Sequence, residues 1–426
     1  MQHSVIRRSL LVSAAFIIGH LFHYALMFSA NRILNPGGFG RFYTAISLLN
    51  ILALPATVLS FTLVRHFSMV YTAAGSASLA REVNALMRRH ALIGLVLVLL
   101  SGLALVLIGS LIGADAFLLL MLVPSTALAF YLFEMARAAL QSRLDFHGYS
   151  AAWLLWRFGQ FVLALAGLLL TGAPWAGMAG IFVATVATVV ILLRVIGRNQ
   201  DMAPAGATAW PPFDVTAAIP FVLQYGLFTL VCNIDVLFAY LLLDNEQLGI
   251  YAASSLLPKA IVTATLPVTQ VMLPVMSTSI EVRQRVRTAL IKALAVTLFL
   301  SATAALALVL GRDLACNEQF GIRFCSTRLL SVLALGAIPL SLGRVLVVAG
   351  LAFEGSLRIA APALVLPAFA ALLLIWPASP ATLANIYAAI CWLFASAYAL
   401  AMYHGRAALR DAPARAQARS NAPTAP

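Results

Sequence analysis

Long apolar runs separated by short polar segments fill this chain almost end to end. Windows of about 20 or more mainly apolar residues fall at about 10–34, 40–64, 90–112, 116–137, 151–171, 175–196, 216–243, 248–274, 288–311, 329–350, 358–377 and 383–403. As helices rising 1.5 Å per residue, runs of this length cross a hydrocarbon layer of about 30 Å. Helices also satisfy their own backbone polar groups where no water is present. The ten-residue alternating strands of a transmembrane β-barrel do not appear in the pattern. The prediction is an all-α polytopic membrane protein of about 12 transmembrane helices.

The polar interruptions organise these spans. Residues 198–215, RNQDMAPAGATAWPPFDV, are rich in Pro, Ala, Gly and polar residues and read as a linker. They separate an N-terminal six-helix bundle (1–197) from a C-terminal one (216–404), and residues 405–426 read as a disordered basic tail. The two halves echo each other. GGFGRFYTAISLL opens span 2 and EQLGIYAASSLL opens span 8, so Gly40 aligns with Gly249 and Phe42 with Tyr251 at an offset of 209 (249 − 40). With an even number of spans per half, both halves start on the same side of the membrane. They are therefore expected to be parallel repeats related by a pseudo-two-fold along the membrane normal.

Composition agrees with the hydropathy pattern: 62% of residues are hydrophobic and 10% charged, with mean hydropathy +0.98. A soluble globular chain carries closer to a quarter charged residues. The net charge of +13 does not point to nucleic acid, because the basic residues are dispersed between apolar runs rather than gathered in one patch. Arg7/Arg8, Arg65/Arg81/Arg88/Arg89, Arg137/Arg143, Arg194/Arg198, Arg283/Arg285/Arg287/Lys292, Arg358 and Arg406/Arg410/Arg415/Arg419 all fall on one side. The positive-inside rule makes that side cytoplasmic and places both termini there. Arg7 and Arg8 faintly match a twin-arginine export signal, but no small-residue cleavage site follows the first apolar run. The exception is an outer segment, RDLACNEQFGIRFCSTR (312–328), with Arg312, Arg323 and Arg328. Cys316 and Cys325 within it can pair in an oxidising compartment or stay as two thiols.

Charges inside spans cost about 2.5–3.5 kcal/mol each on insertion scales and so mark candidate sites. Asp235 lies ~10 Å below the outer end of span 7 and Lys259 ~13 Å below that of span 8. Two roles fit this pair. It can be a structural ion pair, or Lys259 can face a substrate while Asp235 tunes it or carries a coupling ion. Arg157 in span 5 and Arg344 in span 10 lie nearer the inner side, either snorkelling to headgroups or facing a cavity. Glu134 and Arg137 stand at i, i+3 and share a helix face, so that Glu134 can neutralise one Arg. His20 and His23 form another i, i+3 pair, without a third ligand to specify a metal. Prolines within spans, three of them (Pro258, Pro267 and Pro274) in span 8, predict kinked helices. NPGGFGRF neither precedes a Lys-Ser/Thr nor follows a strand, so it is a turn and not a nucleotide loop.

Arg32 followed by NPGGFGRF resembles the start of the bacterial polysaccharide transporter and O-antigen (lipid-linked oligosaccharide) flippase family. Asn233 and Asp235 followed by Leu248-Gly249-Ile250-Tyr251, and the segment AALQSRLDFHGYS (138–150), are similar to further elements of it. The family belongs to the wider multidrug, oligosaccharidyl-lipid and polysaccharide exporter group. The resemblance implies two six-helix bundles, no organic cofactor, and no enzymatic activity. It implies flipping of a polyprenyl-diphosphate-linked oligosaccharide from the cytoplasmic to the periplasmic leaflet for surface polysaccharide synthesis. Arg32, Arg157, Lys259 and Arg344 are then candidates for the diphosphate or acidic sugars, since a guanidinium fork matches phosphate oxygens. Polymerase or glycosyltransferases are expected partners. The alternatives are a cation-coupled multidrug exporter of the same fold and a non-transporting subunit of a polysaccharide synthase.

Overall fold

The computed structural model describes residues 2–107, 114–198, 219–269, 283–317, 319, 321–354, 363–375 and 379–420. Most of the expected linker, the inner end of span 8 with Pro274, the start of span 11 and the last six residues of the tail lie outside the described residues. Among these residues thirteen helices follow one another: α1 Gln2–Ile33, α2 Pro36–Leu52, α3 Leu54–Leu107, α4 Ala114–Ser142, α5 Phe146–Thr171, α6 Pro174–Arg198, α7 Ile219–Leu242, α8 Asn245–Ala264, α9 Arg283–Leu310, α10 Arg312–Ala315, α11 Thr327–Glu354, α12 Val365–Ile375 and α13 Pro380–Ser420. No strand occurs among the described residues. Residues 405–420, expected to lack structure, continue α13 as helix to Ser420.

Among the described residues, ten stretches are long and apolar enough to cross a membrane, and one of them, Pro36–Val106, is 71 residues long and contains both spans 2 and 3. Span 11 is represented by the shorter α12. This is a multi-pass membrane protein built as two six-span bundles. Below, "outer" and "inner" name the two ends as the charge pattern orients them.

Backbone chemistry sets the interruptions. Span 2 is cut at Ala53, whose N–H turns back to Leu49 and Ile51 carbonyls. Pro55 follows, and a proline suits a first helical turn, where no N–H is required. Span 8 is cut in the same way at Thr265, two residues before Pro267. The long α3 breaks at Gly75, with φ 73° and ψ −172°. A residue without Cβ takes this left-handed φ at little cost, and the segment expected to connect spans 2 and 3 is helical on both sides of it. Pro124, Pro258 and Pro339 sit inside α4, α8 and α11.

The repeat is visible at the helix caps. Asn35 caps α2 by accepting the Gly38 N–H at 2.7 Å, and Asp244 caps α8 by accepting the Gln247 N–H at 2.8 Å. Those caps stand 209 residues apart (244 − 35), the offset that aligns Gly40 with Gly249. An Asx side chain at this position satisfies a free helix-end N–H. Within each bundle α1 packs on α5, α5 on α6, α3 on α4, and α11 on α13, α9 and α8. Between the bundles α2 packs along α8 and α7.

Two large cores result. One runs through both bundles and includes Met27, Phe39, Phe42, Val231, Tyr251 and Phe394. The other fills the inner half of the N-terminal bundle, with Phe67, Phe133, Trp153 and Trp156. Leu92, Val96, Leu99 and Leu103 are among the large apolar residues left exposed on the second half of α3. In a bilayer such a face meets lipid chains.

Candidate functional site

The centre of the molecule is the seam between the bundles. Asp235 on α7 is fully buried, and its Oδ1 accepts a hydrogen bond from Lys259 Nζ at 2.8 Å. The Tyr251 hydroxyl donates to Asp235 Oδ2 at 3.2 Å, so both carboxylate oxygens are engaged. Lys259 is less enclosed, with a side chain 18% exposed. Its ammonium lies 5.7 Å from the ring centroid of Tyr43, which belongs to the other bundle. A small cavity is lined by Asp235, Ser255, Lys259, Leu333, Ala337 and Tyr387.

Each bundle also holds a guanidinium group within a span. On α11, Arg344 donates from Nη1 to the Val262 carbonyl at 2.9 Å, at the point where α8 approaches its break. Its guanidinium carbon lies 5.1 Å from the Phe228 ring centroid. On α5, Arg157 donates from Nη1 to Gln160 Oε1 at 3.2 Å and stacks over Trp153 at 4.9 Å and Trp156 at 4.3 Å. Trp156 is held in turn by its own N–H on Thr185 Oγ1 at 3.0 Å. The Nε–H of each of these two arginines is buried without a hydrogen-bond partner. Both arginines lie within electrostatic range of His20 and Tyr24 on α1. Tyr24 bridges to α8 by donating to Thr263 Oγ1 at 3.2 Å, and Asn50 reaches Asn233 across the seam at 3.5 Å.

Glu134 and Arg137 pair at 2.7 Å in the N-terminal bundle, both nearly inaccessible to solvent. The Arg137 guanidinium is boxed by Tyr149 at 4.6 Å, Trp153 at 5.0 Å, Phe16 at 5.5 Å and Phe133 at 5.6 Å. Cation–π attraction stands in for the hydrogen bonds that its Nε and Nη1 lack. Trp153 is shared between Arg137 and Arg157, so the Glu134–Arg137 pair abuts the seam without opening onto it.

The structure pairs Lys259 with Asp235 and sets Arg344 against α8 at Val262, three residues on from Lys259, whereas the contacts of Arg157 among the described residues stay within its own bundle. It does not bring Arg32 to them. Arg32 sits at the outer end of α1, donating from Nη2 to the carbonyls of Gln319 at 2.9 Å and Gly321 at 3.0 Å. Cys316 and Cys325 are joined by a disulfide in that same outer segment. Among the described residues no group of three or more His, Cys, Asp or Glu side chains could hold a metal ion.

Several residues at the seam are not apparent from charge alone. Trp153 and Gln160 follow from helical spacing around Arg157, since i−4 and i+3 neighbours share its face; Trp156, at i−1, does not. Tyr43, Tyr251 and Tyr387 carry no such signal, because tyrosines within apolar spans are indistinguishable from core.

The outer end of the seam is closed. Arg41 on α2 donates to Asn245 Oδ1 from Nη2 at 3.2 Å. A Cβ placed on Gly37 would stand 2.9 Å from that of Asn245, and one on Gly249 would collide with the backbone of Pro36. This fold has counterparts among solved structures. An inward-closed lipid II flippase MurJ superposes with TM-score 0.68 at 13% identity, over 93% of this chain and 87% of that one. An inward-facing multidrug resistance MATE family transporter of the MOP superfamily also gives 0.68, at 15% identity over 91% and 94%. The chain has the MOP transporter fold. An outward-facing MATE transporter superposes with TM-score 0.63 at 14% identity, over 95% of both chains. No family model matches the sequence, and no curated protein is significantly similar to it.

Proposed function

We propose that this protein is a flippase for a polyprenyl-diphosphate-linked oligosaccharide, carrying it from the cytoplasmic to the periplasmic leaflet of a bacterial inner membrane. The observation behind this reading is the charge balance of the seam. Lys259 stands at the seam, Arg344 lies against the same α8 and Arg157 is in the other bundle. On this reading all three serve one anionic substrate, and the acid beside Lys259, Asp235, is already bound by Lys259 and Tyr251. Such a surface suits a diphosphate. The unpartnered Nε–H donors of Arg157 and Arg344, buried in this closed state, would meet phosphate oxygens once the bundles part, and Lys259 can exchange Asp235 for the same anion. Parallel bundles around a central site support alternating access, in which a bundle rocks while the site stays fixed. The fold is that of transporters, and no cofactor enters the reading. Polymerase and glycosyltransferases fit as partners that consume and supply the lipid-linked sugar.

Both a lipid II flippase and multidrug exporters share this architecture, so the substrate has to be argued from the site. A carrier of cationic drugs wants unpaired carboxylates, whereas the seam offers excess positive charge. The test is transfer of a fluorescent polyprenyl-diphosphate oligosaccharide across proteoliposomes. The unsubstituted chain should transfer it, and Arg157→Ala combined with Lys259→Ala should slow transfer at least about tenfold, the effect of losing about 1.4 kcal/mol. Equal transfer by the double variant would reject the residue assignment. No transfer by the intact chain, together with broad drug sensitivity when it is deleted from cells, would favour the multidrug reading.

A further inference from the structure

One outer connection in the C-terminal half touches both bundles. It lies between α9 and α11, over 311–326. It includes the short α10, the Cys316–Cys325 disulfide and three residues that grip α1 of the opposite bundle.

The grip is specific. Asn31, itself buried, accepts the Arg323 N–H at 2.7 Å and donates to the Arg323 carbonyl at 3.0 Å. A side-chain amide thereby reads one backbone unit the way a neighbouring strand would. Arg32 donates to the Gln319 and Gly321 carbonyls, and the Arg323 guanidinium returns a bond to the Arg32 carbonyl at 2.9 Å. Ile322 is fully buried in the core common to the two bundles. The Ser326 N–H donates to Ser254 Oγ on α8 at 2.9 Å, which anchors the segment to its own bundle.

Phe324, between Arg323 and the second cysteine, has φ 62°. A non-glycine residue held in the left-handed region persists where its surroundings over-determine it, and such sites cluster at clamps and switches. The disulfide closes the ring on either side of these gripping residues, so that their carbonyls stay arrayed toward α1.

We infer that Gln319, Gly321 and Arg323, stapled by the Cys316–Cys325 disulfide, form a latch holding the outer ends of the two bundles together, and that its release is a condition for opening to the outer side. This rests on the alternating-access part of the reading above, and not on which substrate is carried. Arg32 belongs to the latch and not to the anion site.

The experiment uses the full chain in right-side-out membrane vesicles, with Ser255→Cys as reporter. Ser255 is buried, lines the central cavity and lies six residues deeper along α8 than the closed contact at Gly249. A membrane-impermeant maleimide is added outside, without substrate, and labelling is corrected for the chain lacking the reporter. Cutting the staple with Cys316→Ser/Cys325→Ser should raise the labelling rate about tenfold or more. Asn31→Ala, which leaves the disulfide intact, should do the same. Labelling that stays at the unsubstituted rate in both, with the proteins inserted in normal amount, would overturn the latch. If the serine pair fails to insert, Asn31→Ala decides alone. Loss of diphosphate transfer does not enter the measurement, so the latch and the substrate assignment fail separately.

Discussion

Lys259 and Asp235 are unequally exposed, and this makes their substitutions unequal. Removing the lysine leaves a carboxylate with no solvent access, whereas removing the aspartate leaves an ammonium that still reaches the cavity. An uncompensated buried charge costs about 3–5 kcal/mol. Lys259→Met should therefore lower the unfolding temperature in detergent well below that of Asp235→Asn. The double variant should recover most of the loss, because neither charge then stays buried alone. Equal destabilisation by the two single variants would show that Asp235 finds another cation. At this scale the sequence placed both residues at similar depth on neighbouring spans. It left undecided whether they pair or face a substrate, and the structure shows them doing one while Lys259 remains able to do the other.

Among elements, α2 and α8 carry the repeat. Their caps and close-approach glycines match at one offset, and each glycine lies against the other helix. A Cβ on Gly40 would meet Leu248 Cγ at 2.6 Å, a side chain that can shift, whereas one on Gly249 would meet the Pro36 carbonyl, which cannot. Gly249→Ala should thus open the outer contact more than Gly40→Ala. Overpacking of this kind costs about 1–3 kcal/mol. The expected result is faster outside labelling at Ser255→Cys and a lower melting temperature for Gly249→Ala, with Gly40→Ala between it and the unsubstituted chain. The reverse order would mean that the helices part more easily than the backbone contact implies. The sequence signalled the paired turn because Gly-x-aromatic after an Asx residue is a local pattern. It could not signal that the two glycines face each other, which depends on how the bundles dock.

For the whole molecule, a shut outer end over a basic seam predicts a state that can be trapped. Gly37→Cys with Asn245→Cys should cross-link on oxidation, since their Cβ positions nearly touch, closer even than the usual Cβ spacing of a disulfide. Transfer in proteoliposomes should stop in the oxidised protein and return after reduction. Continued transfer by the fully cross-linked protein would show that the outer contact need not open.

The number of spans, their helical nature, the two halves and the side carrying positive charge follow from the chain alone. Each is written in runs of about 20 residues and in short-range charge bias, and lipid imposes them without reference to any partner. Span 2, broken at Ala53, and the helix that crosses Gly75 were less legible, because hydropathy is blind to where a helix bends. The site divided along the same line. Asp235, Lys259, Arg157 and Arg344 could be picked out because charge within an apolar run is costly wherever the run lies. That Lys259 pairs with Asp235 and Arg344 reaches the Val262 carbonyl while Arg32 goes to the outer carbonyls of Gln319 and Gly321 depends on which faces of α1, α7, α8 and α11 turn inward. That rotation is fixed by side-chain packing between bundles more than a hundred residues apart in sequence, and only the tertiary structure decides it.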